Sequence, residues 1–245
     1  MENTSDSALT ESLLLAGIIF FAAIAHGVAG FGQGLVAMPF FAMFIDIKAV
    51  IPLSMLNGLS IGSALAFRWR RRLNLTKAAP LVISSLIGTP IGVYFLKTWD
   101  EAALRMGLGI LLAAFSVYSL SGVKFWGVIG GVWGYVFGFF SGMVGGAFGL
   151  NAPVSLIYVT STDWSVEEKK AVMVTNFVIS NVVILCLYFA AGVPLLAPVK
   201  YAAICAPSAI VGAMIGASLS EKLRKETVER VIYGLSLVMG ISLII

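Results

Sequence analysis

Apolar runs near the length needed to cross a bilayer, about 20 residues, recur from Leu13 to the end of the chain, parted only by short polar or charged loops. That recurrence points to one class of fold, a bundle of membrane-spanning helices, because so apolar a chain lacks the polar residues to cover a water-soluble core. Composition agrees. Hydrophobic residues make up 59% and charged residues 11%, against about 25% charged in an average soluble domain. No stretch is left over for a soluble domain. The opening "MENTSDSALTE" is acidic and polar without a basic n-region, so residues 1–12 read as a polar tail and the first apolar segment as retained. The net charge of +4 resides in loops where membrane topology accounts for it, and it gives no ground for nucleic-acid binding.

The chain repeats itself. "KTWDEAALRMGLG" matches "KLRKETVERVIYG" at Lys97/Lys222, Glu101/Glu226, Arg105/Arg230 and Gly109/Gly234, and "LIGTPIG" matches "IVGAMIG" just upstream. "GVAGFGQGLVAMP" (Gly27 to Pro39) pairs in turn with "GMVGGAFGLNAP" (Gly142 to Pro153), one residue shorter before the proline. Two homologous halves result, Leu13 to Gly122 and Val123 to Ile245, the usual architecture of secondary transporters.

Each half reads as a broken segment followed by three spanning helices. The first half gives Leu13 to Ala29, a glycine break, Leu35 to Ile45, then Ala49 to Phe67, Ala78 to Leu96 and Ala102 to Leu120. The second gives Phe125 to Phe140, a break, Leu150 to Thr160, then Ala171 to Ala191, Val199 to Leu219 and Val228 to Ile245. Pieces of about 11 residues, at about 1.5 Å rise each, reach only halfway across the hydrocarbon.

Basic residues test the topology that follows. If each broken segment is a re-entrant hairpin, Arg68, Arg70, Arg71, Arg72, Lys77, Lys124, Lys169, Lys170, Lys222, Arg224, Lys225 and Arg230 fall inside and Lys48, Lys97, Arg105 and Lys200 outside, 12 to 4. If each broken segment crosses once, the division is 7 to 9. The positive-inside rule favours hairpins. Three full crossings per half then invert the second half relative to the first and place the N-terminus outside. The expected fold is an all-α polytopic membrane protein of two inverted repeats, each a Gly-broken re-entrant helical hairpin plus three transmembrane helices.

Non-helical backbone at membrane depth is tolerated only where protein or a water-filled cavity surrounds it. Gly30, Gly32 and Gly34, and in the second half Gly145, Gly146 and Gly149, permit unwound turns. Half-helices restart after them, with Pro39 and Pro153 in early turns where a missing N–H costs least. Two half-helix N-termini, with free N–H groups and positive dipole ends, would meet near the midplane as an anion site. Glycines in membrane helices otherwise serve close packing, which is the reading for Gly130, Gly134, Gly138 and Gly142 and for the pairs Gly88/Gly92 and Gly212/Gly216. Gly146 belongs to that four-residue series as well as to the break.

An uncharged, hydrogen-bonding pocket is built from residues near the breaks. Phe31, Gln33 and Asn151 lie in or beside them, Ser54 and Asn57 share a helix face, and so do Asn176 and Ser180, while Asn181 points elsewhere on its helix. His26, the lone histidine, sits one turn before the first break. Each polar residue serves equally well as interhelical hydrogen-bond glue. No Asp or Glu falls in the middle of a span, which argues against a cation transporter or a carboxylate relay. No zinc-protease, P-loop or serine-elbow motif is present, so neither an enzyme nor an ATP-driven pump has chemistry to point to, and no metal or cofactor is implied. The "RWRRR" run, Arg68 to Arg72, reads as a topology anchor in contact with anionic lipid, with a secondary part in drawing substrate anions. Cys186 and Cys205 lie inside apolar sequence in the second half without C-x-x-C spacing. They read as small buried hydrophobes, with a thiol-disulfide relay as the rival.

At "GVAGFGQGLVAMPFF" and "GMVGGAFGLNAPVSL" the sequence resembles the sulfite exporter TauE/SafE family, also called the toluenesulfonate uptake permease family, over nearly the whole chain. Gly30, Gly32, Gly34, Pro39, Gly145, Gly146, Gly149 and Pro153 occupy the family's motif positions. The resemblance implies a transporter of sulfur-containing anions, such as sulfite, sulfoacetate and aromatic sulfonates, in a bacterial inner membrane. It leaves a passive anion channel of the same fold as an alternative, and the oligomeric state open, a homodimer included.

Overall fold

A computed structural model of the chain describes residues 2–123, 130–220 and 222–245, with side chains from residue 13 onward. Lys124 and the expected start, at Phe125, of the broken segment of the second half lie outside the described residues. Among the described residues all regular structure is helical: α1 Glu2–Ala29, α2 Gln33–Phe41, α3 Ile47–Trp69, α4 Leu75–Thr98, α5 Glu101–Leu120, α6 Val132–Phe148, α7 Ala152–Thr160, α8 Val166–Ala190, α9 Leu196–Leu219 and α10 Lys225–Ile244. Six of them, α3, α4, α5, α8, α9 and α10, are long and apolar enough to cross a membrane, as the sequence leads one to expect. The two short helices, α2 and α7, have 9 residues each and reach about 14 Å at 1.5 Å per residue.

Long helices start where loops supply caps. Asp46 accepts from the Lys48 N–H at 2.7 Å, Asn74 from Lys77 at 2.9 Å and Asp100 from Ala103 at 2.7 Å. A reciprocal capping box joins Ser165 and Glu168 at the start of α8. The short helices lack such caps. Gly32 and Asn151 precede α2 and α7 without a side-chain hydrogen bond to the helix N-terminus, so the first N–H groups there are left for another partner.

Packing exchanges elements between the halves. α1 lies along α9 and α6 along α4, while α3 pairs with α8 and α5 with α10. These pairings survive exchange of α1–α5 for α6–α10, as do α3 with α9 and α4 with α8. Corresponding helices run antiparallel: α3 meets α8 at Gly58/Asn181 and Gly62/Val178, and α5 meets α10 at Gly109/Ile244 and Ala113/Gly240. Close approach at the exchanged contacts depends on the small-residue series. A Cβ on Gly88 or Gly92 would collide with the Phe139 or Met143 carbonyl of α6, and one on Gly216 with the Ile24 carbonyl of α1.

The two ends of the bundle carry different charge groups. Arg72 pairs with Glu167 at 3.2 Å and Lys77 with Glu168 at 2.6 Å, gathering the α3–α4 loop and the start of α8 at one end. At the other, Lys97 Nζ donates to the Ala191 carbonyl at 2.6 Å and Arg105 Nη1 to the Ala42 carbonyl at 2.7 Å. α2 therefore ends beside Arg105, whereas α7 ends beside Lys169, whose Nζ reaches the Thr160 carbonyl at 3.5 Å.

Both breaks differ in detail from the expectation. The first contains only Gly30, Phe31 and Gly32, with φ of 89° at Gly30 and 108° at Gly32, values that glycine tolerates and other residues resist. α2 begins at Gln33 rather than Leu35 and ends at Phe41 rather than Ile45. Pro39 consequently sits in its second turn, where its missing N–H orphans the Leu35 carbonyl. Ser236 Oγ of α10 supplies the replacement donor at 3.1 Å. In the second half α6 does not break at Phe140. It continues through Gly145 and Gly146 to Phe148, and the turn is Gly149, Leu150 and Asn151, with φ of 68° at Gly149. Packing holds those glycines helical: a Cβ on Gly146 would lie 2.5 Å from the Thr89 carbonyl oxygen of α4. Tyr188 OH of α8 also donates to the Gly146 carbonyl at 2.8 Å. Pro153 occupies the first turn of α7, as expected.

Candidate functional site

The two uncapped half-helix starts open onto one cavity of about 30 Å³, lined by Gly32, Gln33 and Gly34 from the first half and by Gly149, Leu150, Asn151 and Ala152 from the second. His26 of α1, Met55 and Gly58 of α3, and Phe177 and Asn181 of α8 complete its wall. Among the described residues no Asp, Glu, Lys or Arg lines it. What it offers is neutral donors: the first N–H groups of α2 and α7 with the positive ends of their dipoles, two asparagine amides, a glutamine amide and an imidazole.

Hydrogen-bond accounting separates the polar residues into two groups. Among the described residues, neither ring nitrogen of His26, nor Gln33 Nε2, nor Ser54 Oγ, nor either amide atom of Asn57 has a hydrogen-bond partner, although all four residues are buried. The groups of the second half are tied to one another. Ser141 Oγ donates to the Asn151 carbonyl at 2.9 Å and meets Ser155 Oγ at 2.8 Å. Asn176 Nδ2 donates to Ser155 Oγ at 3.0 Å, and Ser180 Oγ to Asn176 Oδ1 at 3.2 Å. Asn151 Nδ2 reaches Asn181 Oδ1 at 3.4 Å. Buried polar groups without partners are costly, roughly 1–3 kcal/mol each, and are where a polar ligand gains most.

Of the expected residues, His26, Gly32, Gln33, Gly34, Gly149 and Asn151 line the cavity. Ser54 and Asn57 do not line it, although Ser54 Oγ is 3.4 Å from where a Cβ on the lining residue Gly34 would sit. Gly30 forms the bend itself, facing the Lys170 side chain. Phe31 turns away to stack on Tyr233 of α10, ring centroids 5.9 Å apart. Asn176 and Ser180 are absorbed in the α6–α7–α8 network, and Gly145 and Gly146 belong to helix packing.

Asn181 is the residue the sequence reading directs elsewhere and the structure brings in. Gly58 explains its arrival. With no side chain at Gly58, Asn181 Nδ2 and Gln33 Oε1 approach the backbone of α3, 2.8 and 3.5 Å from where a Cβ would stand. The sequence signal is an interval: Gly30 to Gly149 and Asn57 to Asn176 are the same distance apart, as are the starts of α2 and α7 and of α3 and α8, whereas the pairing of Gly27 with Gly142 and of Pro39 with Pro153 follows a shorter interval and does not match corresponding helix positions. Cys186 on α8 is exposed and Cys205 on α9 is buried, and both are free.

A family model described as sulfite exporter TauE/SafE matches residues 15–243. No curated protein and no solved structure matches the chain.

Proposed function

Because the chain belongs to the sulfite exporter TauE/SafE family, we propose that it is a secondary transporter of small sulfur-containing anions, sulfite or a sulfonate such as sulfoacetate. The observation that carries this reading is the convergence of two uncapped half-helix N-termini on a cavity whose polar groups lack protein partners. Preorganised N–H dipoles and neutral amides suit a sulfur oxyanion, since they supply donors without a fixed cation that would trap it.

Substrate sits between the tips of two re-entrant hairpins, α1–α2 and α6–α7, in an inverted repeat spanning residues 13–122 and 123–245. The antiparallel pairing of α3 with α8 and of α5 with α10 supports the inversion, and the opposite ends reached by α2 and α7 support the hairpins. The arginine-rich end faces the cytoplasm and the N-terminus faces outward, following the positive-inside rule in a bacterial inner membrane. A cavity of about 30 Å³ has room for little more than a water-sized group. Admitting an anion of several heavy atoms therefore requires the hairpins to separate, which favours alternating access over a continuous pore. An interior-negative potential pushes anions outward with about 2.3 kcal/mol per charge per 100 mV, so export needs no coupling ion.

The test is substrate-induced current from purified protein in proteoliposomes, with sulfite, sulfoacetate, taurine, an aromatic sulfonate, thiosulfate, sulfate and chloride offered in turn. A saturable response to one or two sulfur anions is expected. Silence to all of the sulfur anions, or non-saturating chloride conduction, overturns the reading.

A further inference from the structure

A second cavity, of about 620 Å³, opens at the arginine-rich end between the last turn of α3 and the end of α9, walled by Phe67 to Arg72 with Ala217 and Ser220. We propose that it binds the phosphodiester headgroup of an anionic phospholipid. The proposal rests on α3 crossing the membrane, not on what the protein transports.

The arginines are not equivalent. Arg72 is engaged with Glu167 at 3.2 Å, and the Arg70 guanidinium lies 5.1 Å from the centre of the Phe67 ring. Arg68 and Arg71 have no side-chain partner among the described residues, so two guanidinium forks remain for a ligand. Planar guanidinium matches phosphate oxygens two at a time. An anion is the ligand class that this wall selects.

Depth and amphipathicity single out lipid as its source. The cavity lies where a spanning helix leaves the hydrocarbon, the level at which phospholipid phosphates reside. Phe67 is 73% exposed beside the arginines. An exposed aromatic ring next to guanidinium groups offers an acyl chain and a phosphate simultaneous contact, whereas a free anion gains nothing from the ring. A lipid held there touches both α3 and α9, and Ala217 of its wall is also where α9 meets Gly27 of α1.

Native mass spectrometry of the purified full-length chain, titrated with phosphatidylglycerol or phosphatidylcholine, tests the site. Phosphatidylglycerol should be retained in preference to phosphatidylcholine. The double variant Arg68→Gln/Arg71→Gln should weaken phosphatidylglycerol binding by roughly 30-fold, and Arg71→Gln alone by roughly fivefold, while Lys48→Gln/Lys200→Gln at the opposite end leaves it unchanged. Arg68→Lys/Arg71→Lys, which keeps the charge and the topology signal, should bind more weakly than wild type because ammonium lacks the fork. Unaltered binding in the Gln variants, or equal loss in the Lys48/Lys200 control, overturns the proposal. Displacement of the lipid by free glycerol phosphate at comparable concentration assigns the cavity to small anions and overturns it too.

Discussion

Asn57 and Asn176 occupy matching places on α3 and α8 but opposite positions in the hydrogen-bond accounting, and replacing each by leucine should shift stability in opposite directions. Asn57 is fully buried with both amide atoms unpartnered. Each such atom costs roughly 1–3 kcal/mol in a protein interior, and membrane-protein hydrogen bonds run toward the low end of such scales. Leucine has nearly the same shape and no polar atoms, so Asn57→Leu should stabilise the substrate-free protein by about 1–2 kcal/mol. Asn176 donates to Ser155 and accepts from Ser180. Asn176→Leu removes both bonds, although Ser155 keeps Ser141 at 2.8 Å, and the loss should be about 1–2 kcal/mol. The assay is unfolding of purified protein in one detergent, followed by anion flux in proteoliposomes. Asn57→Leu should unfold later than wild type and carry little or no flux; Asn176→Leu should unfold earlier. If Asn57→Leu unfolds as early as Asn176→Leu, or carries full flux, the unpartnered amide beside the lining residue Gly58 has no part in anion binding.

Gln33→Leu removes a cavity amide whose Nε2 has no partner and should lower flux at least tenfold with little change in unfolding, measured on the same preparations. Gly146→Leu should fail to accumulate in membranes, because even a Cβ there meets the α4 backbone at 2.5 Å; Gly234→Leu, with nothing within 4 Å of a Cβ, should accumulate normally, as a membrane immunoblot would read. The cysteine-free variant Cys186→Ala/Cys205→Ala should keep full flux, and loss of flux would revive a thiol relay. Backbone hydrogen exchange should be faster around Gly30 to Gly34 than around Gly149 to Pro153, since side chains of α6 and α8 tie the second turn down; equal protection would contradict that asymmetry.

The spans were legible because apolar length and loop chemistry coincide: Asp46, Asn74, Asp100 and Ser165 stand at the starts of four long helices and cap them. Charge distribution was legible too, with Arg72 and Lys77 meeting the start of α8 at one end and Lys97 and Arg105 marking the other. The second break was harder. Gly146 belongs both to a four-residue packing series and to a dense glycine cluster, and spacing alone does not say which role prevails. The α4 backbone settles it in favour of packing, leaving the positive φ to Gly149. Helical spacing correctly joined Asn176 with Ser180, which are hydrogen-bonded. Which face of α8 meets the cavity depends on how α3 crosses it at Gly58, and no local pattern encodes a crossing.

Duplicated folds invite the assumption that both halves contribute equally to a shared site, and the polar contacts argue otherwise. The second-half turn is held from three sides, by Ser141 on the Asn151 carbonyl, by Asn181 near the Asn151 amide, and by Tyr188 on the Gly146 carbonyl one turn earlier. The first-half turn has two glycines at positive φ, an apolar contact from Ile232, and neighbouring side chains with no hydrogen-bond partner among the described residues. Buried His26, Gln33, Ser54 and Asn57 cost more than leucine or alanine would in the same space, as does Ser116 on α5; on the proposed reading an anion at the cavity offsets that cost for His26 and Gln33, which line it. The starts of α2 and α7 thus bring two helix dipoles to one cavity, and the polar contacts around the two turns differ. One turn is fixed by its own protein, and the other keeps the unpartnered groups that the proposed function assigns to an anion.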